Sequence, residues 1–261
     1  MTPDRPSDPP LRAGWLREGP FTYTDEGEGP ALVALHGLPG SVRDWRWLAP
    51  ALSGVRLVRL DQPGFGGTPR RTAPGTTLHE RARFVWAALE ALGVRDYVVL
   101  GHSMGGPLAI TVSARARGLA LLASVGLRPH RMIRKLGRAP DLPAVLDAPL
   151  VGRLLMRPMR RAFARTGFPA STPDEAIRQC MRIVSRLSFA EVRQAVREVR
   201  APSLLAWAED DPLVEPAIGL ELARELPPGP RLSFAEGGHN IQKSRAVELG
   251  DALSRFVREL S

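Results

Sequence analysis

The chain of 261 residues is 44% hydrophobic, enough to bury a full core in one large domain, and it carries a formal net charge of +9. No apolar run reaches the about 18 residues needed to span a bilayer, and the polar, Pro-rich start MTPDRPSDPP lacks the apolar stretch of a signal peptide. Cys180 is the single cysteine, which excludes an internal disulfide or a thiolate metal cluster, so a cytoplasmic protein without a membrane span is expected.

The charge is unevenly spread. Residues 128–200 hold 16 of the 36 basic residues but only 6 of the 27 acidic ones, so this segment accounts for the whole excess. Lysine occurs only at Lys135 and Lys243, which fits a chain-wide preference for arginine as well as a designed basic patch. The segment lacks interleaved aromatics and any nucleic-acid signature, so no nucleic-acid partner is expected. Anionic substrates or membrane surfaces suit the charge better.

Residues 1–20 read as a loose arm. The runs 31–35 (ALVAL), 55–60 (VRLVRL) and 96–100 (DYVVL) read as short buried strands. Between the last two, 77–93 repeats apolar residues at helical spacing and ends on Gly93. A helix is expected over 108–118 and a strand over 119–126. Strands follow at 203–208 (SLLAWA) and 231–236 (RLSFAE), with amphipathic helices at 215–226 and 244–260. This alternation predicts an α/β fold with a mostly parallel, doubly wound sheet covered on both faces. The rhythm breaks over 127–199, which is Arg/Pro-rich, with helical patterns in 150–165 and 174–198 and no strand. It reads as a helical insertion between two sheet strands, splitting the core into 21–126 and 200–261. Its apolar residues Leu150, Val151, Leu154, Leu155 and Met156 read as packing the insertion on the core in preference to lining a pocket.

The run Gly101-His102-Ser103-Met104-Gly105 fits G-x-S-x-G, and its context gives the pattern weight: a strand enters at Leu100 and a helix leaves near Met104. Such a turn strains the serine backbone and needs small neighbours, because the chain nearly touches itself. It projects the hydroxyl at the carboxyl end of the sheet, where open α/β sheets bind ligands. A serine hydroxyl needs an oriented base. Of the five histidines, His79 and His130 are expected on the surface, His102 points away from the serine, and His36 buttresses a loop. His239, on the Gly-rich loop AEGGHN after the last strand, is the candidate base. The orienting carboxylate is expected in Glu209-Asp210-Asp211, directly after SLLAWA, and spacing alone does not choose among the three.

Together these residues resemble the α/β-hydrolase superfamily, particularly its esterase-like and carbon-carbon hydrolase branch. The resemblance covers about 30–260 through VALHGLPGS (33–41), LDQPGFGGTP (60–69), GHSMGG (101–106), WAEDDPLV (207–214) and GGH (237–239). It implies the chain order Ser103, Asp211, His239, since the family's acid is usually followed by two residues and then Val or Ile; Asp210 is the runner-up. It also implies an oxyanion hole from the backbone N–H groups of Leu38 and Met104, and a cap formed by 127–199. Family dehalogenases and epoxide hydrolases use a nucleophilic Asp, which Ser103 replaces here. The implied activity is hydrolysis of a small carboxylic ester through an acyl-enzyme, with no metal or organic cofactor. Alternatives are carbon-carbon or amide hydrolysis or perhydrolysis with the same triad, or a non-catalytic ligand-binding protein of this fold.

Overall fold

The computed structural model describes residues 6–7, 9–136, 142–165 and 171–261. Portions of the expected arm (1–5 and 8) and of the expected insertion (137–141 and 166–170) lie outside the described residues.

Among the described residues eight strands form one sheet: β1 (Arg12–Leu16), β2 (Gly19–Glu26), β3 (Ala31–Leu35), β4 (Arg56–Leu60), β5 (Tyr97–His102), β6 (Gly118–Leu122), β7 (Ser203–Ala208) and β8 (Arg231–Phe234). Their spatial order is β1-β2-β4-β3-β5-β6-β7-β8. The first two pairings, β1 with β2 and β2 with β4, are antiparallel, and the rest are parallel. The helices are α1 (Leu78–Ala91), α2 (Gly105–Val112), α3 (Arg131–Leu136), α4 (Leu142–Asp147), α5 (Pro149–Arg165), α6 (Asp174–Ser185), α7 (Phe189–Glu198), α8 (Pro216–Glu225), α9 (Ile241–Ser244) and α10 (Ala246–Glu259).

The central strands are apolar at successive positions because both sheet faces are covered. Val33, Leu35, Val99, Leu119, Leu121 and Leu205 point to the side packed by α1, α2 and α8. Their alternates Leu32, Ala34, Val98, Leu100, Ala120, Leu122 and Leu204 meet Leu249, Leu253 and Phe256 of α10 on the other. Thr77 caps α1 by accepting from the Glu80 N–H while the Glu80 carboxylate returns to the Thr77 N–H.

The loose-arm expectation for 1–20 needs correction from residue 12 onward. Arg12–Leu16 pairs with Gly19–Tyr23 as an edge hairpin. Its side chains are mostly exposed, so no apolar run announces it. Gly14 leaves its place over the sheet to the ring of Phe21.

Between β6 and β7 the described chain forms the five helices α3–α7. Its first residues are tied to α8: the Arg131 N–H donates to Glu215, which precedes the helix, at 2.8 Å, and Arg128 Nε donates to Glu221 within it at 2.8 Å. Val192 and Val196 of α7 and Cys180 and Ile183 of α6 join the core beside α2. A second cluster, Leu146, Met156, Ile177 and Met181, holds α4, α5 and α6 together. None of the five apolar residues expected to pack this segment on the core does so: Met156 and Leu155 pack within the cluster of α4, α5 and α6, and Leu150, Val151 and Leu154 face solvent.

Candidate active site

The loops that leave the carboxyl ends of β3, β4, β5, β7 and β8 meet at one rim of the sheet. Ser103 occupies the two-residue turn between β5 and α2 with φ of +52°, a left-handed conformation that side-chain-bearing residues adopt at a cost. The turn is held from both sides. The Ser103 N–H donates to Leu122 O, and the Ser103 carbonyl accepts from the N–H groups of Gly106 and Val125. A side chain on Gly105 would run into the backbone carbonyls of Leu35 and His36, so β3 and α2 can cross at this distance only with glycine there.

His239 and Asp211 converge on this turn. Ser103 Oγ lies 2.8 Å from His239 Nε2, and His239 Nδ1 lies 2.8 Å from Asp211 Oδ2. The second Asp211 oxygen accepts from the N–H groups of Leu213 (2.8 Å) and Val214 (3.0 Å), so both carboxylate oxygens are oriented. Burial alone would raise the Asp211 pKa. The hydrogen bond and charge of His239, with the two backbone N–H donors, outweigh it and hold the carboxyl below its ordinary range. All three residues are buried.

Asp210, the alternative acid, points elsewhere. Its Oδ1 accepts from the N–H groups of Gly237 (2.9 Å) and Gly238 (2.7 Å), bracing the loop that presents His239. Glu209 accepts from Trp207 Nε1 and from the Ser233 hydroxyl. The two acids beside Asp211 are exposed yet bonded, in contrast to a plain solvated turn.

Met104 directly follows the serine in the chain, and Leu38 directly follows Gly37. The 36–40 loop passes close to the serine, since a Cβ on Gly37 would lie 3.1 Å from the Ser103 Cβ. Among the described residues, neither the Leu38 nor the Met104 N–H donates to a protein acceptor. The loop is fixed from below by His36, the buttress expected for it, with Gln62, Arg81 and Asp61 behind it. His36 Nε2 accepts from the Gln62 N–H at 3.0 Å, which leaves the ring proton on Nδ1 to donate to Gly37 O at 2.7 Å. The Gln62 amide donates to His36 O at 2.6 Å and accepts from the buried guanidinium of Arg81. Burial lowers the Arg81 pKa to about 10. Asp61 ties the same region together by accepting from Val42 N–H, Gly67 N–H and the Thr22 hydroxyl.

His102 lies under His239 and donates through Nε2 to its carbonyl at 2.9 Å, away from the serine hydroxyl as expected. Burial first, and then the neighbouring His239, push its pKa down to about 3, so the ring is neutral. His79 is exposed as expected, but His130 is not a surface residue. Only 2% exposed, it sits at the start of the inter-strand segment with Nδ1 3.2 Å from Leu213 O. Its fold position, pressed onto the loop after Asp211, overrides its polar sequence surroundings. Among the described residues no group of three His, Cys, Asp or Glu is placed to hold a metal ion, and no helix is long and apolar enough to cross a membrane.

A family model described as the alpha/beta hydrolase fold matches residues 30–246. The chain is 28% identical to a dihydrolipoyllysine-residue acetyltransferase component of an acetoin cleaving system from Pseudomonas putida. That match covers 92% of this chain but 66% of the other, so the chain spans just under two thirds of that protein's length. It is 26% identical to a 2-hydroxy-6-oxononadienedioate/2-hydroxy-6-oxononatrienedioate hydrolase from Burkholderia vietnamiensis, over 90% of both chains. Among solved structures, a thermophilic esterase from Thermogutta terrifontis superposes with a TM-score of 0.74, over 97% of this chain and 99% of that one, at 18% identity.

Proposed function

The chain belongs to the alpha/beta hydrolase family, and from that premise we propose that it is a serine hydrolase that cleaves carboxylic esters through an acyl-enzyme on Ser103. One observation carries this reading: the hydrogen-bonded series Ser103 Oγ, His239 Nε2, His239 Nδ1, Asp211 Oδ2, with both links at 2.8 Å, on a serine held at φ +52° where α2 begins.

In the proposed reaction, Ser103 Oγ attacks the acyl carbon as its proton passes to His239 Nε2. Asp211 keeps the ring proton on Nδ1 and stabilises the imidazolium. The negative charge on the former carbonyl oxygen falls between the N–H groups of Leu38 and Met104, each donor lowering the barrier by about 3–4 kcal/mol. When the tetrahedral centre collapses, the bond to the alkoxy group breaks and His239 returns its proton to that oxygen, releasing the alcohol. Water then attacks the acyl-serine while His239 takes its proton. The second collapse breaks the Ser103 ester bond, returns the proton to Oγ and frees the acid. The roles come from residues of this chain, and the substrate class is a small acyl compound met in the cytoplasm.

In the same reading, 21–126 and 200–261 are the hydrolase core and 127–199 is a helical cap whose side chains set acyl and leaving-group preference. The seating of α6 beside Gln62 and Pro63 supports this, since Gln179 Nε2 approaches Pro63 O at 3.4 Å, next to the loop that braces His36. A second reading is favoured by the relative from Burkholderia vietnamiensis: the same three residues would hydrolyse a carbon-carbon bond beside a ketone.

A fluorophosphonate probe tests the nucleophile. It should label the wild type on the peptide containing Ser103 and leave Ser103→Ala untouched; labelling that persists in the variant overturns the assignment. Turnover of short p-nitrophenyl esters against vinylogous diketones separates the two readings.

A further inference from the structure

Helix α5 is the outer layer of the segment between β6 and β7. Its inward residues Gly152 and Met156 close on Leu146 of α4, and Met156 also meets Ile177 and Met181 of α6. On the opposite side Leu150 and Leu154, one turn apart, are 76% and 77% exposed, with Val151 beside them at 48%. Three aliphatic side chains standing together in water on the outermost helix form an apolar ridge.

A row of charge adjoins the ridge. Arg153, Arg157, Arg161 and Arg165 follow at i, i+4 intervals and are all exposed, covering about 18 Å of helix axis. Among the described residues none of the four has an ion-pair partner, whereas Arg160, Arg178 and Arg182 pair with Asp174 and Asp147. At 100° per residue, Leu150, Leu154, Arg157, Arg161 and Arg165 fall within about 80° of the helix circumference. Like charges repel at this spacing, so the arrangement works against the isolated helix.

The occupant must cover leucines and neutralise arginines on one convex surface. A second copy docked through the same face would oppose one arginine row with another. A bilayer with anionic headgroups meets both needs: the leucines sink below the headgroups, and the arginines extend along the surface to the phosphates. We propose that the outer face of α5 docks the protein on an anionic lipid bilayer, with Leu150, Val151 and Leu154 inserted and Arg153, Arg157, Arg161 and Arg165 on the headgroups. This attachment is peripheral, and it does not rest on the chemistry assigned to Ser103.

Vesicle co-sedimentation tests it. The full chain should sediment with mixed phosphatidylglycerol–phosphatidylcholine vesicles at low salt, stay in solution with pure phosphatidylcholine, and be released by high salt. Each arginine charge removed should lower the partition coefficient by about fivefold and each one reversed by more, so Arg157→Glu with Arg161→Glu should lower it well beyond tenfold. Leu150→Ser with Leu154→Ser should also weaken binding, and the thermal unfolding midpoint, measured for both double variants, should stay unchanged in each, which shows that both remain folded. Equal sedimentation with the two vesicle types overturns the proposal, as does no sedimentation with either. A concentration-dependent dimer that Leu154→Ser dissociates, without vesicle binding, assigns the face to a second copy and overturns it as well. Retention by an acidic protein but not by vesicles has the same force.

Discussion

Asp210 and Asp211 are neighbours in sequence, yet their carboxylates grip different parts of one loop: Asp211 holds the ring of His239 at 2.8 Å, and Asp210 holds the N–H groups of Gly237 and Gly238. Replacing Asp211 by Asn keeps the shape but lets an amide N–H face Nδ1, favouring the tautomer that leaves Nε2 protonated and unable to accept from Ser103. The expected result for Asp211→Asn is a fall in kcat of about 10⁴-fold with KM nearly unchanged. Steady-state kinetics on a p-nitrophenyl ester measures it, and a loss under tenfold would remove Asp211 from the orienting role.

Asp210 is a positioning residue, acting on His239 through the backbone. Both of its bonds are solvent-exposed, so their loss loosens the loop without unfolding it. Asp210→Ala should lower kcat by about tenfold with little effect on KM, and Asp210→Asn, which keeps an acceptor oxygen, should recover most of it. A merely structural role would lower the unfolding midpoint of Asp210→Ala and leave kcat per folded molecule unchanged.

What the sequence reveals depends on whether a residue's surroundings are written locally. The strands ALVAL and SLLAWA stand out because each side chain meets a packed face, and they form β3 and β7 at the expected bounds. The hairpin partner β1 is hidden by its exposure and by Gly14. At the rim, the motifs around Ser103 and His239 mark residues that meet in space. The division of labour between Asp210 and Asp211 has no local signature, because Gly237 and Gly238 N–H groups look alike in any loop. Arg81 sits among polar residues in HERARF and reads as a solvated helix position. In the fold it is buried and donates to Gln62. The exposure of Leu150 and Leu154 is invisible for the converse reason: periodicity gives a helix its apolar stripe, not the surface that the stripe faces.

Gly105 tests the turn itself. An added methyl would press on the carbonyls of Leu35 and His36, and these belong to rigid backbone, which cannot step aside as a flexible side chain could. Gly105→Ala should cost about 1–3 kcal/mol, read as a drop of several degrees in the thermal unfolding midpoint. It should also reduce fluorophosphonate labelling of Ser103 more steeply than the folded fraction falls, because the carbonyls it displaces lead into the 36–40 loop. Unchanged stability and labelling would mean that the close crossing of β3 and α2 is not needed.

Acid sensitivity should trace partly to His130. Burial is the main cause that lowers its pKa, from 6.5 to about 4, with the neighbouring His239 adding to it against the opposing hydrogen bond to Leu213 O. Between those two pH values the unfolded chain binds a proton at this position that the folded chain refuses. Stability therefore falls as pH drops through this window and is free of this penalty above it. The loss reaches about 3 kcal/mol near pH 4, and His102, neutral down to about pH 3, acts in the same direction. Glutamine at position 130 offers an N–H to Leu213 O but does not titrate. His130→Gln should thus show a shallower fall in unfolding midpoint between pH 6.5 and 4 than the wild type, whatever its midpoint at neutral pH. Parallel curves for the two proteins would exclude His130 as a source of the acid sensitivity.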